Sequence, residues 1–234
     1  MIEIGSTEFL LKVPSLPEKD FELYSTRLFD QWAASLEKSL SLTDYSIALE
    51  IEEGSISGKA KIAAAAGAIY VGIANYGGFI SGLQTIRSQI SYVNNLLVEN
   101  AQQPFDCGKT SVTIRNRGGA LSRLQSLFHR VQKGTLTADE AIRHAMEVFG
   151  EEADDIPGLV EDLKKDFENA PKYPEQLSLI ESENDECGAT AIDIPTKNPS
   201  RKRAPQPIPA SQQFRIEIRK DSKKGKKRVK VTKK

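Results

Sequence analysis

The chain has 234 residues, 39% of them hydrophobic and 27% charged, which is enough for one ample domain or two small ones. Its formal net charge is zero, but acids dominate from Asp139 to Asp193 and bases from Arg201 to the end, an asymmetry expected of a charged tail with a task. Two cysteines, Cys107 and Cys187, exclude a disulfide framework, and the opening MIEIGSTEFLLKVPSLPEKD has neither the basic nor the long apolar region of a secretory signal, so the expected location is cytoplasmic, at most peripheral to or conditionally inserted at the inner face of a membrane.

Glu8–Val13 (EFLLKV) reads as a short strand. Pro14 and Pro17 punctuate, and Pro17 suits the first turn of a helix. Phe21, Tyr24, Leu28, Trp32, Leu36 and Leu40 then recur three and four apart, as the apolar face of an amphipathic helix does. The stretch DYSIALEIEEGSISGKAKI predicts a β-hairpin. With its turn at Glu53-Gly54, Ile51 faces Ile56, Leu49 faces Gly58, Ile47 faces Ala60 and Tyr45 faces Ile62. Glu52, Glu50, Ala48 and Ser46 share the opposite, wet side with Ser55, Ser57, Lys59 and Lys61.

Between Lys61 and Arg87 no side chain is charged. The run Ile62–Leu83 matches the roughly 20 apolar residues that span a bilayer. Its strength is lower than its length implies. Ile62, Ile69, Val71, Ile73, Phe79, Ile80 and Leu83 together supply roughly −3 kcal/mol of insertion energy. Asn75, two tyrosines, Ser81 and five glycines oppose it, and the sum is near zero. Gly67, Gly72, Gly77 and Gly82 lie five apart, with Gly78 and Gly82 one close pair, and small residues let helix backbones approach. Two arrangements stay open. In one, Ala63, Gly67, Ile69, Val71, Gly72, Ile73, Tyr76, Gly77, Gly78, Phe79 and Gly82 form a latent membrane-associating segment. In the other they form a buried helix, a break near Asn75–Gly78 and a second helix, packed on the hairpin's apolar side.

Leu83, Ile86, Ile90, Val93 and Leu97 continue three and four apart, an expected seam for one partner helix or a second copy. Pro104 ends this block, and Thr110–Ile114 (TSVTI) adds a candidate strand. Three short helices follow. Leu121, Leu124, Phe128 and Val131 line the first, which Gly134 stops. Thr137 and Glu140 form a capping box for the second, which carries Ala141, Ala145, Met146 and Phe149 and stops at Gly150. Asp154, Asp155 and Pro157 open the third, with Leu159, Leu163 and Phe167 inward.

The fold class is therefore α+β. Residues 1–115 form a domain in which a hairpin packs with amphipathic and Ala/Gly-rich helices, and 116–173 form a three-helix module. Residues 174–212 read as a disordered linker, and 213–234 as a basic tail, or a hairpin in which Phe214, Ile216 and Ile218 alternate against Val229 and Val231.

Chemical motifs are few. CGKTS lacks the glycine a phosphate loop needs five residues before Gly108, where Gln103 stands. RNRGGAL places Arg115 and Arg117 before a glycine pair at a helix start, whose amides suit an anion. His129 and His144 lack an evident third ligand for a metal. No activated nucleophile stands out, so no enzyme, cofactor or small-molecule substrate is expected. The cations Arg201, Lys202, Arg203, Lys223, Lys224, Lys226, Lys227 and Arg228 suit phosphate in nucleic acid or in anionic lipid. Two functions follow as expectations. One is a non-enzymatic assembly or effector protein with a latent membrane segment and a basic recruitment tail. The other is a soluble adaptor that binds nucleic acid or a protein through the tail and helical module.

Overall fold

A computed structural model describes residues 1–105, 112–172 and 214–233. Its elements in chain order are β1 (Ile2–Leu11), α1 (Glu18–Ser39), β2 (Ser46–Glu52), β3 (Ile56–Ala64), α2 (Ala66–Ala74), α3 (Phe79–Gln102), β4 (Val112–Arg117), α4 (Gly119–Gln132), α5 (Ala138–Phe149), α6 (Leu159–Glu168), β5 (Phe214–Lys220) and β6 (Arg228–Lys233). The strands make one six-stranded antiparallel sheet in the order β4-β1-β3-β2-β5-β6. The α+β class is thus observed, with a larger sheet than the hairpin alone.

Strand alternation explains the layering. Phe9, Leu11, Ile47, Leu49, Ile51, Ile56, Ile62, Ile216 and Ile218 are buried on one face of the sheet. There α1 lies on β2 and β5, while α3 and α4 lie on β1. The other face carries the charged members of the alternation: Glu8, Lys59, Lys61, Glu50, Glu52, Arg215 and Glu217. The β2–β3 register differs from the sequence expectation by two residues, since Ile51 pairs with Gly58 and Leu49 with Ala60. A shift of two preserves every facing. Its cause is Glu53, whose amide donates to the Phe214 carbonyl at 3.0 Å and whose carboxylate accepts from Ser15. Glu53 is thereby held in the sheet and only 2% exposed, so the turn falls later.

The uncharged run is divided among four pieces: the end of β3, then α2, a turn, and the start of α3. Gly77 takes φ +78° at that turn. Among the described residues no helix is long and apolar enough to cross a membrane. Of the second arrangement, the helix, the break and the second helix are observed, with α2 packed on α3 and α3 on β1 and α1. Ile69, Gly72, Ile73, Phe79 and Gly82 are buried, whereas Val71 is 44% exposed. Ala63 lies on the sheet, opposite Glu3 and Ser46. Gly67 has open space beside it. Tyr76 is held in the turn, its hydroxyl donating to Ser41 Oγ at 2.8 Å and accepting from Gln89 Nε2 at 2.8 Å. Gly78 accepts from the Gly82 amide at 3.0 Å.

The expected oligomer seam is corrected. Leu83, Ile86, Ile90, Val93 and Leu97 are each no more than 4% exposed. Helix α3 packs on β1, α1 and α2 of the same chain, and its apolar stripe is covered there. The expected boundary near residue 115 also fails to divide the core. Ile4, Leu97, Leu121 and Phe167 belong to one buried cluster, because α4 packs directly on β1. The segment read as a linker lies outside the described residues. The end of the chain is a β-hairpin and not a free tail: β5 extends the β2 edge and buries Ile216 and Ile218.

Helices α2 and α3 begin without a capping side chain of their own. Acids of the helical module fill that role. The Ala66 amide donates to Glu152 Oε2 at 3.0 Å and the Ile80 amide to Asp166 Oδ2 at 3.3 Å. Carboxylates at helix N-termini satisfy orphan amides and oppose the positive end of the dipole. Nearby, the Tyr70 hydroxyl donates to Asp162 Oδ2 at 2.7 Å.

That hydrogen bond, then burial and the negative charges of Asp162 and Glu161, pushes the Tyr70 phenol from 10.0 up to about 12. Burial, helped by Glu37 and Asp44, pushes Tyr45 up to about 12 as well. Both raised values favour the neutral phenol in the folded state. Their contribution is complete below pH 10 and is lost as pH rises through about 12. Urea unfolding across this window should show falling stability in the native chain. Tyr70→Phe should lower stability at neutral pH and shrink the alkaline fall. A profile flat through that window would refute the assignment.

Candidate functional site

Helix α4 shows how the sequence prepares a surface. Ala120, Leu121, Leu124, Leu127, Phe128 and Val131 face the core. Ser122, Arg123, Gln125, Ser126, His129, Arg130 and Lys133 occupy the other side, with Arg123, Ser126, Arg130 and Lys133 exposed. The helix stops at Gly134, which takes φ +70° and donates to the Val131 carbonyl at 3.0 Å. Thr135 donates to the Arg130 carbonyl at 3.0 Å, completing a Schellman stop. Helix α5 then begins at the expected capping box of Thr137 and Glu140.

Three adjoining grooves follow α4. One of about 290 Å³ lies between α3 and α4 and is lined by Arg87, His129, Arg130 and Lys133. A second, of about 510 Å³, lies between α4 and α5 and adds Arg123, His144 and Glu147. The third, of about 640 Å³, runs along α3 past Ser88, Ser91, Tyr92 and Asn95 to Gln125. Arg87 and Gln125, themselves hydrogen-bonded, line the first and third. Ser122, Ser126 and Arg130 line the first and second. Among the described residues lining all three, Glu147 is the one acid beside four Arg/Lys side chains. Fixed cations around a concave surface raise the local concentration of anions.

This surface was not among the expected sites, although its signal stands in the sequence. From Cys107 to Ala138 there is no Asp or Glu, while Lys109, Arg115, Arg117, Arg123, Arg130 and Lys133 all fall within that stretch. Apolar core residues interleave with these cations, so the run does not look like a basic cluster until the helix separates its faces. Arg87 comes from a distant part of the chain and could not be assigned from spacing.

Arg115 and Arg117, read as anion-binding candidates beside the α4 amides, stand on β4. Both arginines alternate onto the open face of the sheet, opposite Glu8 and Ser6, while α4 lies on the other face. Lys59, bonded to Glu8 at 3.3 Å, holds that carboxyl below its ordinary range, with Arg117 and Arg115 adding to the effect. At the start of α4 it is Arg87 that comes close to Gly118.

The C-terminal cations are partly engaged. The Lys223 ammonium donates to the Leu42 carbonyl at 3.2 Å and sits 5.7 Å from the Tyr45 ring centre. Lys227 pairs with Asp30 at 2.7 Å, Arg228 with Asp221 at 3.0 Å and Lys233 with Glu18 at 3.1 Å. Lys224 and Lys226 are exposed in the β5–β6 turn. Since β4 and β6 are opposite edges of the sheet, roughly 24 Å apart at normal strand spacing, the hairpin and α4 do not form one surface. Arg201, Lys202 and Arg203 lie outside the described residues.

His129 Nδ1 lies 3.1 Å from Gln132 Oε1 and His144 Nδ1 lies 3.1 Å from Glu147 Oε2, so each histidine is engaged on its own helix. Among the described residues no three His, Cys, Asp or Glu side chains gather as metal ligands. Comparison with family models, with curated proteins and with solved structures finds no match to this chain.

Proposed function

We propose that the chain is a non-enzymatic adaptor that binds the phosphate backbone of nucleic acid through the α4 surface. The observation that carries this reading is the nearly acid-free rim of the three grooves, formed by Arg87, Arg123, Arg130 and Lys133. Phosphates bound there would release counterions, and binding would weaken with salt. Three acids of the module stand apart from the grooves: Glu152, Asp162 and Asp166 bond to α2 and α3 and line none of the three. That separation orients an approaching polyanion. The exposed Lys224 and Lys226 offer the same chain a second, weaker contact. Two unpaired-motif cysteines suit work in a reducing, cytosolic compartment.

A membrane role through Ile62–Leu83 draws less support. Ile62, Ile69, Ile73, Phe79 and Leu83 are each no more than 4% exposed. Vacating a large buried side chain costs about 2–5 kcal/mol. Extracting all of them therefore outweighs the roughly 3 kcal/mol that insertion returns. Lipid contact through surface cations is a separate matter and belongs to the test.

Each cation near an anionic surface contributes about 1 kcal/mol. The triple variant Arg123→Glu, Arg130→Glu, Lys133→Glu should therefore weaken oligonucleotide binding by about a hundredfold in fluorescence anisotropy. Its salt dependence should also become shallower. Lys61→Glu, on the open sheet face, should change little. Native protein that ignores oligonucleotides at low salt but floats with phosphatidylserine vesicles would move the assignment from nucleic acid to lipid headgroups.

A further inference from the structure

We infer that the nucleic acid taken by the α4 surface is single-stranded, with one base stacked on Tyr92; this rests on the reading just given. Tyr92 is 58% exposed on α3, a helix whose other large apolar side chains are buried or half-buried. It has neither a ring neighbour nor a hydrogen-bond partner among the described residues. It borders the groove of about 640 Å³ together with Ser88, Ser91, Asn95 and Gln125. Arg87 lies five residues earlier, about 7.5 Å along the helix axis, and opens that groove into the cationic one beside Arg130 and Lys133.

The chemistry separates the two forms of nucleic acid. A duplex turns its bases inward and presents phosphates, so it would use the cations and leave Tyr92 idle. A single strand presents unpaired bases whose faces stack on an aromatic ring whatever their sequence. Hydroxyl and amide side chains around the ring can both donate and accept, so they suit base edges of any kind. A tyrosine beside arginine, lysine and uncharged polar groups offers both of the contacts that single-strand binding needs.

Fluorescence anisotropy with labelled oligo-dT and with a labelled duplex of equal length tests this on the full chain. The expected result is tighter binding of oligo-dT. Tyr92→Ala should weaken it by about tenfold, the worth of a stacked base, with the salt slope unchanged. Tyr92→Phe should restore it. Photocrosslinking of 5-iododeoxyuridine oligomers should map to Tyr92. A duplex that binds as tightly as oligo-dT, or a Tyr92→Ala protein that matches the native one, overturns the inference. If the triple charge variant still loses binding in that case, the phosphate reading survives alone. If native protein binds neither probe, both fail together.

Discussion

Gly82→Ala is expected to destabilise the fold more than any other single methyl addition in the uncharged run. A Cβ at Gly82 would lie 2.1 Å from the Ile73 carbonyl oxygen, with the Ile73 carbonyl carbon and Cα both at 2.8 Å. Those atoms are backbone of α2 and cannot rotate aside, so the α2–α3 corner must open. The cost should fall at the upper end of the roughly 1–3 kcal/mol typical of overpacking. Gly67→Ala supplies the contrast. No atom lies within 4 Å of its Cβ position. It is in the first turn of α2, where alanine gains about 0.5–1 kcal/mol over glycine. Urea midpoints should therefore move in opposite directions for the two variants. Equal, small shifts would mean that α2 and α3 are not packed at this corner.

Gly119→Ala is the second large effect, and it acts where the cationic helix joins the sheet. Gly119 takes φ +53°, a left-handed conformation that costs an L-residue about 1–2 kcal/mol. Its Cβ would also sit 2.2 Å from the Glu3 carbonyl oxygen, in the backbone of β1. Strain and clash act together, so a loss of about 3 kcal/mol or more is expected in denaturant unfolding. The same change should loosen α4 selectively, since Gly119 at its start lies against the Glu3 backbone of β1. Hydrogen exchange should show the amides of Ala120–Leu124 losing protection before those of β2 and β3. Unaltered protection across α4 would contradict the docking described above.

These two glycines show where sequence reasoning reached and where it stopped. Periodicity revealed α1, the hairpin alternation, the three short helices and the alternating C-terminal segment, because each signal is contained within a few turns or one strand pair. The capping box at Thr137 and the stop at Gly134 were legible for the same reason. Glycine spacing announced close helix approach. What Gly82 approaches is the preceding helix of its own chain, and no local pattern distinguishes that from a neighbour in lipid. The apolar stripe of α3 was equally ambiguous. Its five residues look the same whether they await a second copy or β1 lies beneath them. The candidate surface was half legible: the acid-free stretch ending at Ala138 is plain in the sequence, whereas Arg87 and Tyr92 join it only through the α3–α4 packing.

By itself, then, the amino-acid order determined which side of each helix and strand is apolar, since that depends only on residue spacing of about 3.6 or 2. It also determined that a long uncharged run exists and that it is only weakly hydrophobic. Tertiary structure alone decided what those faces meet. It placed the C-terminal hairpin on β2, directed Arg115 and Arg117 away from α4, and set the acids Glu152 and Asp166 on the bare ends of α2 and α3. The reason is physical: burial is non-directional and takes any apolar partner of fitting shape. Choosing one partner requires the whole chain to close around a common core.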